Sequence, residues 1–402
     1  MRNSDHKRVV VVGAGIGGLT AALALRQQGW QVQILERATS LQDIGAGIQL
    51  SPNASRVLRA LGLLEQVLDV AVTPQRIEMV DGLSAQSIFS VPAGSAAAVR
   101  WGAPYLHCHR ADLISTLASA LQADAPDCIQ FGCEVDRVST TTDSVTLHVG
   151  DRSFQPDLIV AADGVRSRIR DLCFGDSQPR FTGHVAWRCT VPTASLGDDA
   201  PPPNARAWVG SGRHAVTYRL RGGRIANFVG VVEADSWTDE SWTARGTREQ
   251  ALADFDGWHP SLTRILEASE EHFRWALYER KPLQRWSHKN LVLLGDACHA
   301  MLPFVAQGAA MAIEDAWVLA TSLSNHRSLD PALNAYQQQR MPRTRDIQKR
   351  ASANGPRFHA RTSWSQFWYW RVPGVIAKLA PTLIHRQFDK IYGHDVVQSP
   401  TR

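Results

Sequence analysis

Val9-Val10-Val11-Val12-Gly13-Ala14-Gly15-Ile16-Gly17-Gly18 decides the reading of this chain. Four β-branched residues in a row suit a buried parallel strand. The G-x-G-x-x-G that follows runs into Leu19, Ala22, Leu23 and Leu25 at helical spacing, with Gly29 at the helix end. Gln31 to Leu35 reads as a second strand, closing on Glu36, 18 residues after Gly18. Each glycine has a task. Gly13 permits the tight turn, Gly15 lets backbone approach a pyrophosphate, and Gly18 lets the helix sit close to the strand. The helix N-terminus faces the phosphates and Glu36 accepts from ribose hydroxyls. The same run after the basic stretch Met1 to Arg8 mimics a secretory leader, but the glycine spacing argues for a dinucleotide fold.

Working outward, Gly45-Ala46-Gly47-Ile48 and Ser51-Pro52-Asn53 precede a helical pattern carrying Val57, Leu58, Leu61 and Leu64. Tyr105-Leu106-His107-Cys108-His109-Arg110 enters another, and Arg110 there is placed for phosphate or flavin oxygens. Two further strands end in an acid beside a glycine: Leu158-Ile159-Val160-Ala161-Ala162-Asp163-Gly164 and Leu291-Val292-Leu293-Leu294-Gly295-Asp296. Behind the second come His299, Pro303 and Gln307-Gly308-Ala309-Ala310, opening a long helix.

These motifs, in this order, resemble the single-component FAD-dependent aromatic hydroxylases, the group A flavoprotein monooxygenases. The resemblance covers most of the chain and extends to enzymes acting on salicylate, 3-hydroxybenzoate and 6-hydroxynicotinate. It implies extended FAD, held by Gly13, Gly15, Gly18, Glu36, Arg37, Gly47 and Arg110, with Val135 near the adenine. Asp163 would help place FAD and couple to the nicotinamide donor, and Asp296 would hold the ribityl hydroxyls or phosphates. Gly308 and Ala309 would offer N–H groups to the flavin pyrimidine edge, where a helix N-terminus suits the negative charge of reduced flavin. NADH or NADPH would reduce FAD without a domain of its own. O2 would add at flavin C4a, and the hydroperoxide would attack an aromatic ring carbon ortho or para to a hydroxyl.

Between the second and third fingerprints, Val185–Val191, Ala205–Val209, His214–Leu220 and Arg224–Val232 alternate like strands, with Arg221-Gly222-Gly223 as a turn. Glu249 to Phe255 and Leu262 to Leu266 read as helices. His214 and Tyr218, four apart, share one strand face with Val216 and Leu220. A histidine titrates where phenol activation needs a base. We therefore read His214 and Tyr218 as catalytic, against the plain alternative of a satisfied core histidine and a packed tyrosine. The resemblance also implies substrate contacts on this His-x-x-x-Tyr stretch and places Gln307 and Pro303 above the flavin, while His299 reads as structural. Arg188 reads as a sheet-edge salt bridge in preference to a substrate carboxylate partner.

The fold class that follows is α/β. It is a Rossmann-like FAD-binding domain with a parallel sheet, interrupted by an antiparallel-sheet substrate domain, plus C-terminal helices. The expected boundaries are FAD-binding parts at 1–73, 106–180 and 286–350, substrate-domain parts at 74–105 and 181–285, and a C-terminal helical segment at 351–402. That last segment clusters Trp364, Phe367, Trp368, Tyr369 and Trp370, read as packing over the FAD domain in preference to touching a membrane or partner. Relatives commonly carry tryptophan where Lys390 stands, which keeps the named activity open.

Composition narrows the classes. The chain has 402 residues, 44% apolar and 20% charged, with net charge +5. That excess is too mild to point to nucleic acid and suits an anionic small molecule. Six cysteines form no C-x-x-C pair, so no metal site is expected, and unpaired thiols point to the cytoplasm. No apolar run is long enough to span a membrane. The expected partners are a small aromatic substrate, O2 and NAD(P)H, with a homodimer left open. Two alternatives remain: a flavin dehydrogenase or quinone-type reductase, and a non-catalytic FAD-binding sensor.

Overall fold

The structure is a computed structural model that describes residues 7–41, 47–175, 179–236 and 245–398. Gly45 and Ala46 of the second motif, and the leader-like Met1 to His6, lie outside the described residues.

The valine run forms the strand Arg8–Val12, buried at every valine. It lies at the heart of a six-stranded sheet. In spatial order the strands are Ser287–His288, Leu291–Leu293, Leu158–Ala161, Arg8–Val12, Gln31–Leu35 and Ile129–Gln130. All neighbours are parallel except the first pair. The helix Ile16–Gln27 is buried along most of its length, and Gly29 leaves it at φ 82°. The fingerprints thus fall at the carboxyl ends of four adjacent strands, where such sheets bind ligands.

A second sheet has seven strands, ordered Phe273–Glu279, Arg180–Pro192, Ile225–Glu233, Arg213–Leu220, Ala205–Gly210, Arg76–Asp81 and Ser87–Pro92. Its pairs are antiparallel apart from Ala205–Gly210 with Arg76–Asp81, which run parallel. One face carries a core of Trp187, Trp208, Phe228 and Ala215 against the helices Arg248–Asp254 and Pro260–Ala268. The other faces the parallel domain. A short ladder of Gly47–Leu50 with Leu106–His109 stands between the two sheets. A three-stranded antiparallel sheet, Arg137–Thr140, Val145–Val149 and Arg152–Phe154, was not foreseen.

The helix Gly308–Asn325 is followed by Leu329–Phe358, 30 residues that run straight across the expected boundary at 350. Beyond it, Val372–Leu379 and Pro381–Tyr392 return to the main core through Ile376, Ile384, Ile391 and Tyr392. The aromatic cluster divides. Trp370 is buried and donates Nε1–H to the Arg357 carbonyl (2.8 Å), while Trp364, Phe367, Trp368 and Tyr369 are exposed. No described helix is long and apolar enough to cross a membrane.

Candidate active site

The glycine turn shows why these positions carry no side chain. A Cβ on Gly13 would stand 2.6 Å from the Ala162 carbonyl oxygen, and one on Gly18 would stand 2.0 Å from that of Gly13. Both glycines are demanded by the protein itself. A Cβ on Gly15 would meet no atom of the described residues within 4 Å, although the backbone there is in an ordinary extended conformation. That open space suits the close approach of a pyrophosphate. Glu36 accepts from the Ala14 N–H (2.7 Å) and the Ala38 N–H (2.9 Å), locking the turn to the second strand. Arg37 beside it and Arg110, which opens the helix Arg110–Asp124, are exposed. Val135 is buried in the main core.

Asp163 follows the strand Leu158–Ala161. Its Oδ2 accepts from Ile169 N–H (3.2 Å), its Oδ1 is buried without a partner among the described residues, and burial raises its pKa. Orphaned buried oxygens are rare, and a ligand donor would satisfy this one. Asp296 is exposed, and a Cβ on Gly308 would lie 4.0 Å from its Oδ1. The third fingerprint and the start of Gly308–Asn325 therefore sit together. The first bond of that helix runs from Met311 N–H to the Gln307 carbonyl (2.8 Å). The N–H groups of Gly308, Ala309 and Ala310 precede it and have no intrahelical acceptor.

Register places the substrate-side residues in three rows across the seven-stranded sheet. Ala186, Val231, His214 and Val209 form one, Arg188, Val229, Val216 and Ala207 the next, and Asn227, Tyr218 and Ala205 the third. His214 and Tyr218 are buried, but all four members of the middle row are partly open to solvent, in the centre of a sheet. We read this half-open stripe between buried flanks as the floor of a cleft. Gly47 closes one side, where a Cβ would meet the Tyr218 ring at 2.3 Å. Phe304 closes the other, packed edge-on against His214 at 4.9 Å.

Polar groups without protein partners gather on this floor. Arg188 lies second from the sheet edge, its guanidinium 5.5 Å from the Trp275 ring, with no salt bridge among the described residues. The sheet-edge salt bridge is thus corrected, because the strand Phe273–Glu279 covers that edge. Burial pulls the Arg188 pKa down to about 10. The Tyr218 phenol is pushed up by burial and drawn back by the positive Arg188. Asn227 Nδ2 and both ring nitrogens of His107 are buried and have no partner among the described residues. His107 packs 4.6 Å from Tyr218, and burial lowers its pKa to about 3. Sequence reasoning missed Asn227 and His107. The alternation around Asn227 placed it on the Tyr218 face only once strand register was known.

The buried Gln307 amide is engaged away from the sheet. Nε2 donates to Ser51 Oγ (2.8 Å) and Oε1 accepts from Asn53 (3.1 Å). Asn53 in turn donates to Glu314 (2.6 Å), which pairs with the wholly buried Arg340. His299 binds Asp315 at 2.5 Å and belongs to the same charged network.

A family model described as "FAD binding domain" matches residues 6–351. With aromatic monooxygenases 35% identical over 85–89% of its length, the chain belongs to the FAD-dependent aromatic hydroxylases.

The 3-amino-4-hydroxybenzoate 2-monooxygenase PtnB3 of Streptomyces platensis is 35% identical over 360 residues, covering 89% of this chain and 90% of the relative. The 6-hydroxynicotinate 3-monooxygenase of Bordetella bronchiseptica is 35% identical over 350 residues, covering 85% and 90%. Among solved structures, Klebsiella pneumoniae HpxO complexed with FAD and uric acid superposes with a TM-score of 0.85 at 26% identity, covering 99% of this chain and 98% of that one. FAD fits what this hydroxylase presents: an open cradle at Gly15, an orphan acceptor on Asp163 and spare donors at Gly308 and Ala309.

Proposed function

We propose that this flavoprotein uses NAD(P)H and O2 to hydroxylate a small phenolic or hydroxy-heteroaromatic acid, lodged over the Arg188 row. The observation that carries this is the half-open stripe of Arg188, Val229, Val216 and Ala207 between buried His214 and Tyr218. Three apolar side chains receive an aromatic ring. Arg188 at the end of the row receives an anionic substituent, since a half-buried guanidinium without a carboxylate gains from one supplied by substrate. His214 at the flank receives the ring hydroxyl. The curated relatives act on hydroxylated aromatic acids, which supports this chemistry.

Bound FAD would supply electron transfer from NAD(P)H and the activation of O2. The chain supplies the rest. Gly13, Gly15, Gly18 and Glu36 bind the adenosine and phosphates, with Arg37, Gly47, Arg110 and Val135 beside them. Asp163 and Asp296 fix the central portion, and the Gly308 and Ala309 N–H groups steady negative charge on the ring edge. His214 holds the phenolic proton, which makes the ring carbon more nucleophilic. Tyr218 and Arg188 orient the anionic end, and Gln307 fixes the loop that meets the cleft. Closure between the two sheets excludes water.

NAD(P)H oxidation by the purified yellow protein, followed with a panel of hydroxybenzoates and hydroxypyridine carboxylates, tests the reading. One of them is expected to stimulate oxidation and to be hydroxylated. Arg188→Met is expected to raise KM for that acid by roughly 10- to 100-fold, the value of about 1.5–3 kcal/mol for a charged hydrogen bond. The same variant should leave KM for a neutral analogue within about twofold. Equal losses on both would remove Arg188 from the anion site.

A further inference from the structure

His214 does not stand alone. Its Nδ1 lies 2.7 Å from His359 Nε2, and His359 Nδ1 lies 3.1 Å from Glu233 Oε1. Glu233 is 35% exposed and is also paired with Arg361, whereas both histidines are buried. The chain of contacts therefore runs from the cleft to the surface. His359 comes from the end of the long helix, far from the substrate sheet in sequence. Nothing in the hydroxylation chemistry above uses it or Glu233.

We propose that Glu233 and His359 form a positioning relay that fixes the tautomer of His214 and conducts the substrate's phenolic proton to solvent. This rests on the reading that His214 meets the ring hydroxyl. The direction follows from donor bookkeeping. A carboxylate only accepts, so His359 donates Nδ1–H to Glu233 and keeps a lone pair on Nε2. His214 must then donate Nδ1–H to His359, which leaves its own Nε2 as a lone pair, the form a base needs. Without the relay either tautomer would serve the packing equally.

The transfer balances without any redox step. The phenolic O–H breaks and His214 Nε2–H forms. His214 Nδ1–H passes to His359 Nε2, His359 Nδ1–H passes to Glu233, and Glu233 releases the proton to water. The hydroxylated product regains a proton by the reverse sequence, which restores both tautomers. Burial supports neutral imidazoles at rest, since it lowers the pKa of His214 and, to about 4, that of His359. The charged and titratable neighbours are His184, packed 5.3 Å from His359, with Glu279 beyond it, and Arg361 on Glu233, with Asp235 beside it.

The test uses the FAD-loaded enzyme with 15N-labelled histidine, in wild type, Glu233→Gln and His359→Phe. In wild type the His214 ring should carry its proton on Nδ1 and a bare Nε2. Glu233→Gln can accept from His359 or donate to it, so it should lose the fixed tautomer and leave both rings mixed, and His359→Phe should leave His214 without a fixed tautomer. With the aromatic acid that wild type hydroxylates, kcat should fall roughly tenfold or more in both variants, with KM within about twofold. The acid limb of the Glu233→Gln profile should move to lower pH, because the carboxylate that raises His359 is gone. FAD content and melting temperature identify a variant that has failed to fold, in which case the other decides. Unchanged His214 tautomer and kcat in the folded variants overturn the relay while leaving the hydroxylase reading intact. A wild type that hydroxylates no hydroxyaromatic acid overturns that reading instead.

Discussion

Gly15→Ala is expected to fold as the wild type does and to lose FAD. The new methyl would meet no atom of the described residues within 4 Å, and the Gly15 backbone is in a region alanine adopts freely. Apoprotein stability should therefore be unchanged or slightly raised, by about 0.4–1 kcal/mol, through a stiffer unfolded chain. The cost falls on the cofactor, whose pyrophosphate needs that space. An overpacking penalty of about 1–3 kcal/mol corresponds to a roughly 5- to 150-fold weaker FAD affinity. Gly18→Val is the contrast. Its Cβ would overlap the Gly13 carbonyl at 2.0 Å, so the strand–helix packing must open and the apoprotein itself should melt earlier. FAD titration and thermal melts of the two apoproteins separate the cases. A Gly15→Ala protein that keeps full FAD affinity would remove the pyrophosphate from this turn.

Arg340→Leu carries the largest expected loss of stability. Arg340 is wholly buried, with Nε 2.7 Å from Asp315 and Nη1 2.5 Å from Glu314. Truncating it leaves two buried carboxylates short of their cation, a cost of about 3–5 kcal/mol. The network also reaches Asn53 and Gln307, so the loop that precedes Gly308 should loosen with it. The pH dependence has a definite sign. Burial would raise Glu314, but Arg340 and Arg343 outweigh it and hold the carboxyl at about 2, against an ordinary 4.5. That stabilisation is complete above pH 4.5 and is lost as the pH falls toward 2. The gap between wild type and Arg340→Leu should accordingly be widest near neutrality and narrow below pH 4.5. Denaturation midpoints at several pH values measure it, and a constant gap would mean that Arg340 acts through packing alone.

What was legible in the sequence is what local spacing controls. The glycine turn, its two strands and the Gly29 stop are set within one short stretch, and the structure places them as read. His214 and Tyr218 share a face because strand periodicity fixes it. Strand order across the second sheet is not local, so Arg188 was assigned to an edge that Phe273–Glu279 covers. The partner of His214 was hidden for the same reason, since His359 arrives from a helix that begins at Leu329. Pairing of Arg76–Asp81 parallel to Ala205–Gly210 likewise depends on a crossover that no spacing reveals. The exposed aromatics from Trp364 to Tyr369 differ from buried Trp370 only through the course of the helices around them.

We propose above that the cleft over the Arg188 row transfers one oxygen atom to an aromatic acid. Turnover under 18O2 with limiting NAD(P)H measures this directly. One 18O atom is expected in the aromatic product for each NAD(P)H consumed when the accepted acid is present, with little hydrogen peroxide. NAD(P)H consumption that yields only peroxide or a reduced acceptor, with no 18O in any hydroxybenzoate or hydroxypyridine carboxylate, would contradict it and make the protein a flavin reductase.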